Sequence, residues 1–331
     1  MTSSPPQIDV VALGHPLVDV LTHESDDVVA RAGVERGAMT MVDAARSDEI
    51  YAQLGPAQET SGGSAANTAV GVAAFGGRAA FIGRIADDAF GQVFAHDLRS
   101  AGVEFDVSPA TDGSPTGRCL VIVAADAERT MCTYLGAGAE IDPLDVDADR
   151  IAGAAVTYLE GYLWDGAAAK DAIRRAASLA QAAGRKVALT LSDPFCVERH
   201  RAEFRELIKT SVDILFANEH EITMLYEVDG FDDAARHIAA DCSIAALTRG
   251  ALGSAVVSGA ERHDIAAEPV DLVDTTGAGD LYAAGFLYGL THGHDLATCG
   301  RLGSLGAAEV ISHLGARPEA SLSDSVRRLL A

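Results

Sequence analysis

A regular alternation of short apolar strands and helical segments is the feature that most limits what this chain can fold into. Four uninterrupted apolar runs, separated by helical patterns, occupy residues 155–160, 186–191, 212–216 and 244–247. Strands that are apolar on both faces must be covered on both faces, as in a mostly parallel sheet with helices on either side. The pattern therefore predicts a doubly wound α/β fold, to which the apolar run at 8–14 adds a further strand.

A second, smaller group of strands is predicted outside this alternation. Residues 119–124 form an apolar strand, and residues 130–135 are placed to pair with it. The segment 126–129 is interpreted as the turn between them, because Asp favours turns. We find no internal repeat and no low-complexity segment.

The charge and the cysteine content of the chain limit its possible partners and its cellular compartment. The formal net charge is −23, so we expect repulsion from nucleic acid and from anionic membranes. The chain has only three lysines (Lys170, Lys186 and Lys209), so a phosphate site would depend on backbone amides, arginines and a divalent cation. The five cysteines form no C-x-x-C pair, which favours buried thiols in a reducing compartment. Without a signal-like or membrane-spanning stretch, we expect a cytoplasmic protein.

The glycine-rich turn at 277–279 is the strongest candidate for chemistry. It follows an apolar run at 270–273, interpreted as a strand or strand end, and precedes a helix-like run at 281–290. Unpaired amides at a helix start bind anions, and Asp280 in the first turn could accept a proton from a hydroxyl. Gly277, Ala278, Gly279 and Asp280 together meet two needs of phosphoryl transfer. The same features also occur as ordinary helix starts.

Other polar residues follow predicted strands or open helices. Asp19 follows the first strand, and Asn67 lies one turn into a helix that begins after Gly62-Gly63. Two further groups follow strands at 218–221 and 248–253. In a doubly wound sheet the carboxyl ends of the strands share one edge, so we expect these loops to lie together.

Several familiar enzyme classes do not match the motifs. A dinucleotide-binding fingerprint fails because Tyr282 and Ile141 stand where the third glycine is required. A serine nucleophile elbow centred on Ser64 fails because Ala66 replaces its last glycine. No P-loop motif is present. A non-catalytic binding protein of the same fold stays open, although it would not need Asp280.

Taken together, the motifs resemble those of the ribokinase-like (PfkB) carbohydrate and nucleoside kinases. The stretch 274–280 resembles the C-terminal signature of that family and 62–67 the N-terminal one, which 83–91 continues. Asn218 with Glu221 matches an N-x-x-E motif, and 248–253 matches a nucleotide loop. The matches span about residues 8–318 in the family's order. The resemblance implies one domain over 1–331, with a β-rich lid from about 16–58 and 106–135.

The resemblance also implies roles for the residues that match. Asp280 would be the general base, with Gly277, Ala278 and Gly279 lining an anion hole and Arg129 as a lid arginine. The acceptor would contact His15, Asp19, Gly62, Gly63 and Asn67. ATP would be bordered by Asn218, Thr248, Gly250, Gly253 and Thr275. Asn218 and Glu221 would hold Mg²⁺, mostly through water.

Within the family, several stretches look like the adenosine kinase branch. They are 14–19, 191–195 and 306–311 with Gly315. His15 and Asp193 depart from that branch, which usually has Asn and a small apolar residue there. A purine would need a flat apolar surface, for which Met131, Tyr162, Trp164 and Phe195 are candidates. We expect a small-molecule acceptor, either a ribonucleoside (adenosine first) or a free sugar or sugar acid. A K⁺-like monovalent cation and a monomer or homodimer complete the expectations.

Overall fold

The computed structural model describes residues 6–124 and 128–330, except for the side chain of residue 26. Its strands, in chain order, are β1 (Ile8–Leu13), β2 (Leu17–His23), β3 (Met39–Met41), β4 (Gln58–Gly62), β5 (Ala79–Ile82), β6 (Val103–Glu104), β7 (Thr116–Val123), β8 (Arg129–Gly136), β9 (Ala154–Glu160), β10 (Lys186–Thr190), β11 (Ile214–Asn218), β12 (Ile244–Thr248), β13 (Ser254–Ser258) and β14 (Glu261–Ile265). Its α-helices are α1 (Asp26–Ala32), α2 (Ala44–Tyr51), α3 (Ser64–Phe75), α4 (Ala89–Ser100), α5 (Ala148–Gly153), α6 (Ala167–Ala182), α7 (Pro194–Ser211), α8 (Glu219–Tyr226), α9 (Phe231–Asp241), α10 (Ala278–Thr291), α11 (Leu296–Val310) and α12 (Leu322–Leu330).

Within the described residues, nine strands form a large sheet in the order β14-β13-β12-β11-β10-β9-β1-β5-β6. All neighbours from β6 to β12 are parallel, and β12, β13 and β14 are joined antiparallel. The prediction of a doubly wound, mostly parallel sheet is confirmed. The antiparallel extension was not predicted.

The two faces of the large sheet carry separate cores. Successive residues of β1 alternate between them: Val10 and Ala12 pack on one side, and Val11 and Leu13 on the other. Helices α3, α10 and α11 contribute to the first core, whereas α6 to α9 contribute to the second. This arrangement explains the uninterrupted apolar runs, because each strand needs apolar side chains in both directions.

Five strands of the described chain form a second sheet in the order β3-β8-β7-β2-β4. Strand β2 pairs in parallel with β7 and antiparallel with β4, so it connects two strands that are distant from it in sequence. One face, with Val18, Val20, Leu120 and Ile122, is buried in the first core beside Val28 and Ile50 of α1 and α2. The other face includes Asp19. That this sheet moves as a lid over 16–58 and 106–135 stays a prediction.

Two local predictions were wrong. The apolar run at 270–273 forms no strand; Leu272 and Val273 are 64% and 53% exposed in an extended loop. Arg129 does not lie in a turn but is the first residue of β8, where it pairs with Val123. Of the turn predicted at 126–129, residues 126 and 127 lie outside the described part of the chain.

Candidate active site

Asp280 lies in the first turn of α10, as the sequence predicted, and contacts the start of α3. Its Oδ1 accepts a hydrogen bond from Ser64 Oγ at 2.6 Å, and its Oδ2 accepts one from Asn67 Nδ2 at 2.9 Å. Burial raises the pKa of Asp280 to about 6, and these two hydrogen bonds act in the opposite direction. The carboxylate is thus oriented and still able to take up a proton near neutral pH.

The turn before Asp280 has the geometry of an anion site. Gly277 adopts φ 77°, a left-handed conformation that favours glycine, and its missing Cβ leaves room for Ala316. Helix α10 begins at the next residue, so its first amides have no partner within the helix. The amides of Gly279 and Asp280 therefore carry the partial positive charge of the helix start.

Asn67 offers the site a free acceptor. Its amide nitrogen is used by Asp280, whereas its Oδ1 is buried and has no hydrogen-bond partner among the described residues. A buried acceptor without a partner is costly, and a ligand hydroxyl would satisfy it. Asn67 lies in the first turns of α3, as the sequence predicted, and the structure places it next to the proposed base.

Asp19 points from β2 toward the turn that joins β4 to α3. A Cβ on Gly62 would lie 2.3 Å from Asp19 Oδ2, so only glycine leaves room for this carboxylate. Burial raises the pKa of Asp19 to about 6, against the opposing charges of Arg317 and Arg129. Asp19, Gly62 and Gly63 are therefore brought together, as predicted.

Arg129 connects the small sheet to the loop before α10. Its Nη1 lies 2.7 Å from Asp274 Oδ2 and donates to Thr276 Oγ1 at 3.1 Å. The remaining oxygen of Asp274 accepts from the amide and hydroxyl of Thr276, which fixes the loop ahead of Gly277. Nη2 of Arg129 is buried without a hydrogen-bond partner in the described chain, so it has donors available for an anion.

His15 is held by a residue that the sequence analysis missed. Its Nδ1 lies 2.9 Å from Glu160 Oε1, and both side chains are almost fully buried. The other Glu160 oxygen accepts from the Ala65 amide at 2.9 Å, which ties this carboxylate to the start of α3. A substrate contact by His15 would have to use Nε2. Glu160 ends a predicted strand, which was the available signal.

Arg317 is the second missed residue. It donates to the carbonyls of Ser61 and Ala66 at 3.0 and 2.8 Å. Its charge opposes the effect of burial on the pKa of both Asp19 and Asp280. It lies two residues beyond Gly315, and nothing in the local pattern of the sequence distinguishes it.

The Asn218 and Glu221 side chains bind each other. Asn218 Nδ2 donates to Glu221 Oε1 at 2.6 Å, while the two backbone amides complete a capping box at the start of α8. Burial, opposed by the hydrogen bond from the Asn218 amide and assisted by the charge of Asp193, raises the pKa of Glu221 to about 7. No group of three His, Cys, Asp or Glu side chains able to hold a metal occurs in the described residues. The donor set therefore fits Mg²⁺ only if water and phosphate oxygens supply most of the ligands.

The segment after β12 forms a tight loop at the same edge of the large sheet. Gly250 and Gly253 have φ of 55° and 84°, and Arg249 stacks on Phe231 with 4.2 Å to the ring centroid. Thr248 ends β12, and Asn218 ends the neighbouring β11 beside it. Thr275 is exposed in the loop before α10. The nucleotide contacts expected of Asn218, Thr248, Gly250, Gly253 and Thr275 stay predictions.

The candidates for a base-contacting surface divide into two groups. Trp164 is 1% exposed, and its Nε1 donates to Glu203, so this candidate belongs to the core. Phe195 is 70% exposed, whereas Tyr162 and Met131 are half-buried. Met131 packs on the site-facing side of the small sheet with Leu21, Cys119, Val121 and Val123. Asp193 caps α7 through the Cys196 amide at 2.6 Å.

Among the described helices, none is long and apolar enough to cross a membrane.

A family model described as pfkB family carbohydrate kinase matches residues 38–322. The structure of an adenosine kinase from Sinorhizobium meliloti is 49% identical, with a TM-score of 0.91, covering 98% of this chain and 99% of that one.

A probable sugar kinase from Rhizobium etli CFN 42 is 46% identical, again with a TM-score of 0.91 and with 98% and 99% covered. An adenosine kinase from Saccharomyces cerevisiae is 28% identical, covering 92% of this chain and 95% of that protein. The large sheet, its helices and the small sheet form the ribokinase-like fold of an ATP-dependent carbohydrate or nucleoside kinase. This chain belongs to the pfkB carbohydrate kinase family.

Proposed function

We propose that this kinase transfers the γ-phosphoryl group of ATP to the 5′-hydroxyl of a ribonucleoside, with adenosine the preferred acceptor. The observation that carries the proposal is the position of Asp280. It lies directly after the amides of the Gly277–Gly279 turn and accepts a hydrogen bond from Asn67. One residue thus borders both a phosphate site and a hydroxyl site. The identity to a Sinorhizobium meliloti adenosine kinase supports the choice of acceptor.

Asp280 accepts the proton of the acceptor hydroxyl while that oxygen bonds to the γ-phosphorus. The bond between the γ-phosphorus and its bridging oxygen breaks, so ADP leaves and the proton stays on Asp280 until it is released to solvent. Asp280 must be ionised for this step, and hydrogen bonds from Ser64 and Asn67 favour its charged form. A base with a pKa near 6 is ionised at neutral pH and strong enough to assist the transfer.

The first-turn amides of α10 stabilise the negative oxygens of the transferred group, and Arg129 Nη2 adds a charged donor at the same place. Because each donor is fixed before the reaction, little reorganisation is needed. Asn218 and Glu221 would hold Mg²⁺ through water, and the ion would neutralise phosphate charge when bound. Because the chain has only three lysines, we assign the stabilisation of the phosphate charge to backbone amides, Arg129 and Mg²⁺.

The acceptor side supports a ribose ring. Asp19 can accept two hydroxyl hydrogens, and Asn67 Oδ1 can accept one more, as the vicinal 2′ and 3′ hydroxyls would require. The apolar side chains of Leu21, Cys119, Val121 and Met131 line the same face of the small sheet as Asp19. That surface would cover a flat base, for which a free sugar has no equivalent group.

A free sugar or sugar acid is the second candidate acceptor, favoured by the 46% identity to a probable sugar kinase from Rhizobium etli. A panel of adenosine, guanosine, inosine, ribose, fructose and 2-keto-3-deoxygluconate would separate the two, with ADP release and phosphorylated product both measured. We expect kcat/KM for adenosine to exceed that for each free sugar at least about tenfold. A free sugar that proves the better acceptor would reject the nucleoside proposal.

A further inference from the structure

Arg317 is a half-buried cation whose role lies outside the mechanism above. It sits in the loop between α11 and α12, and all three of its guanidinium nitrogens donate hydrogen bonds. Nε binds the Ser61 carbonyl at 3.0 Å, Nη1 binds the Ala66 carbonyl at 2.8 Å, and Nη2 binds Ser61 Oγ at 3.0 Å. A planar guanidinium with three fixed contacts has little freedom to move.

These contacts bracket the turn from Ser61 to Ala66. Ser61 is the fourth residue of β4, and Ala66 lies in the first turn of α3. The Ser61 amide is also held, by Asp97 Oδ2 at 2.9 Å. Arg317 therefore fixes both ends of the segment that contains Gly62, Gly63 and Ser64.

The segment held by Arg317 is the one that orients the proposed base. Ser64 and Asn67, at the start of α3, supply both side-chain hydrogen bonds to Asp280. A shift of the turn would move these donors away from the carboxylate. The same shift would alter the space that Gly62 leaves for Asp19.

The charge of Arg317 acts on the same two carboxylates. Burial lowers the pKa of Arg317 to about 10, against the opposing effect of Asp19, Asp280 and Asp97, so it is protonated at neutral pH. It lowers the pKa of Asp19 and of Asp280, whereas burial raises both. The other titratable groups facing these two carboxylates are Glu160, Tyr158, Tyr162, Arg129 and Cys119.

We propose that Arg317 is a positioning residue for phosphoryl transfer: its three hydrogen bonds hold the 61–66 turn in place and so keep Ser64 and Asn67 bonded to Asp280. The inference rests on the proposed function, in which ionised Asp280 accepts the hydroxyl proton. Lysine at this position retains the charge but cannot reproduce the three-contact fork, so it tests the hydrogen bonds apart from the charge.

The test uses Arg317→Lys and Arg317→Gln, with Arg236→Gln on the exposed face of α9 as the matched control. The carboxyl carbons of ¹³C-labelled Asp are titrated by NMR without substrates, and Asp280→Asn and Asp19→Asn assign the signals. In Arg317→Gln the midpoint of Asp280 should rise by about half a pH unit or more. In Arg317→Lys it should also rise, because the released turn withdraws the Ser64 and Asn67 hydrogen bonds that favour charged Asp280, and kcat should fall about tenfold or more.

An unchanged Asp280 midpoint or a wild-type kcat in Arg317→Lys would overturn the positioning role. Should Arg317→Gln fail to fold, Arg317→Met is titrated in its place by the same criterion, with its melting temperature measured first. The titration needs no turnover, so it distinguishes this inference from the proposed function. Wild-type turnover in Asp280→Asn would reject the base assignment and leave the titration result intact.

Discussion

Arg129 of β8 and Asp274 of the loop before α10 form an ion pair, with 2.7 Å between Nη1 and Oδ2. The pair joins the small sheet to the glycine turn of the large one. Both side chains are largely shielded from water, so the interaction is less screened than a surface pair. The position of the small sheet and the shape of the proposed anion site are therefore linked through Arg129.

The first prediction concerns that contact. Arg129→Ala should lower kcat by about 10²-fold, because a preorganised donor to the transferred group is lost. The KM of the acceptor should change much less, and Arg129→Lys should recover part of kcat. Steady-state kinetics with both substrates varied would check this. A raised acceptor KM with unchanged kcat would show that Arg129 serves binding alone.

The second prediction concerns the base. Asp280→Asn keeps the size of the side chain and can still bond to Ser64 and Asn67, but it cannot take up the proton. Turnover should fall by about 10²-fold or more, while ATP and acceptor still bind. The exposed Asp271→Asn is the matched control, with isothermal titration calorimetry for binding. Near-normal turnover in Asp280→Asn would contradict the assignment.

The third prediction is that Asp280 reduces stability at neutral pH. Its pKa rises on folding from 3.8 to about 6, so the folded state binds more protons than the unfolded state between those values. Stability linked to this group is therefore present below pH 3.8 and is lost as pH rises through about 6. Asp280→Asn should raise the melting temperature at pH 8 by about 1–3 °C. The difference should shrink at pH 5, and calorimetric scans at both pH values would check it.

The fourth prediction concerns the metal. Glu221→Gln should raise the Mg²⁺ concentration needed for half-maximal activity severalfold, because a neutral amide holds the ion's water shell less well. Glu206→Gln, on the exposed face of α7, provides the control. Chelation should abolish activity in every variant. An unchanged Mg²⁺ titration in Glu221→Gln would remove that residue from the metal site.

The fifth prediction concerns Gly62, whose lack of a side chain leaves room for Asp19. Gly62→Ala would place a methyl group 2.3 Å from Asp19 Oδ2, so the carboxylate must move. We expect the KM of the acceptor to rise about tenfold or more while the KM of ATP stays nearly constant. Gly153→Ala, whose Cβ meets nothing within 4 Å, should behave like the wild-type protein. Equal effects on both substrates would place Asp19 outside the acceptor site.

Local sequence patterns were sufficient to predict much of the fold and part of the candidate site. The strands with buried residues on both faces were recognisable because their apolar runs are continuous, and Asp280 because it follows a glycine turn. The run at 270–273 is apolar at three of its four positions, yet the chain uses it as an exposed loop. Periodicity cannot distinguish these cases, since tertiary contacts decide which short apolar runs pair.

Arg317 and Glu160 show what local patterns do not contain. Arg317 acts through Ser61, 256 residues away in sequence, and Glu160 acts through Ala65, 95 residues away. Neither lies in a recurring motif, and each gains its role only when distant segments meet. Trp164 shows that an aromatic residue near a strand end can line a ligand surface or, as in this structure, fill the core.

The hydrogen bond between Ser64 and Asp280 spans 216 residues of sequence. During synthesis the hydroxyl-binding side of the site therefore emerges long before the base and the anion turn. A nascent chain that ends before residue 274 contains Asp19, Asn67 and Arg129 but has neither the ion-pair partner of Arg129 nor a group to take the proton. In the proposed mechanism, phosphoryl transfer is thus confined to chains that have been translated beyond Asp280.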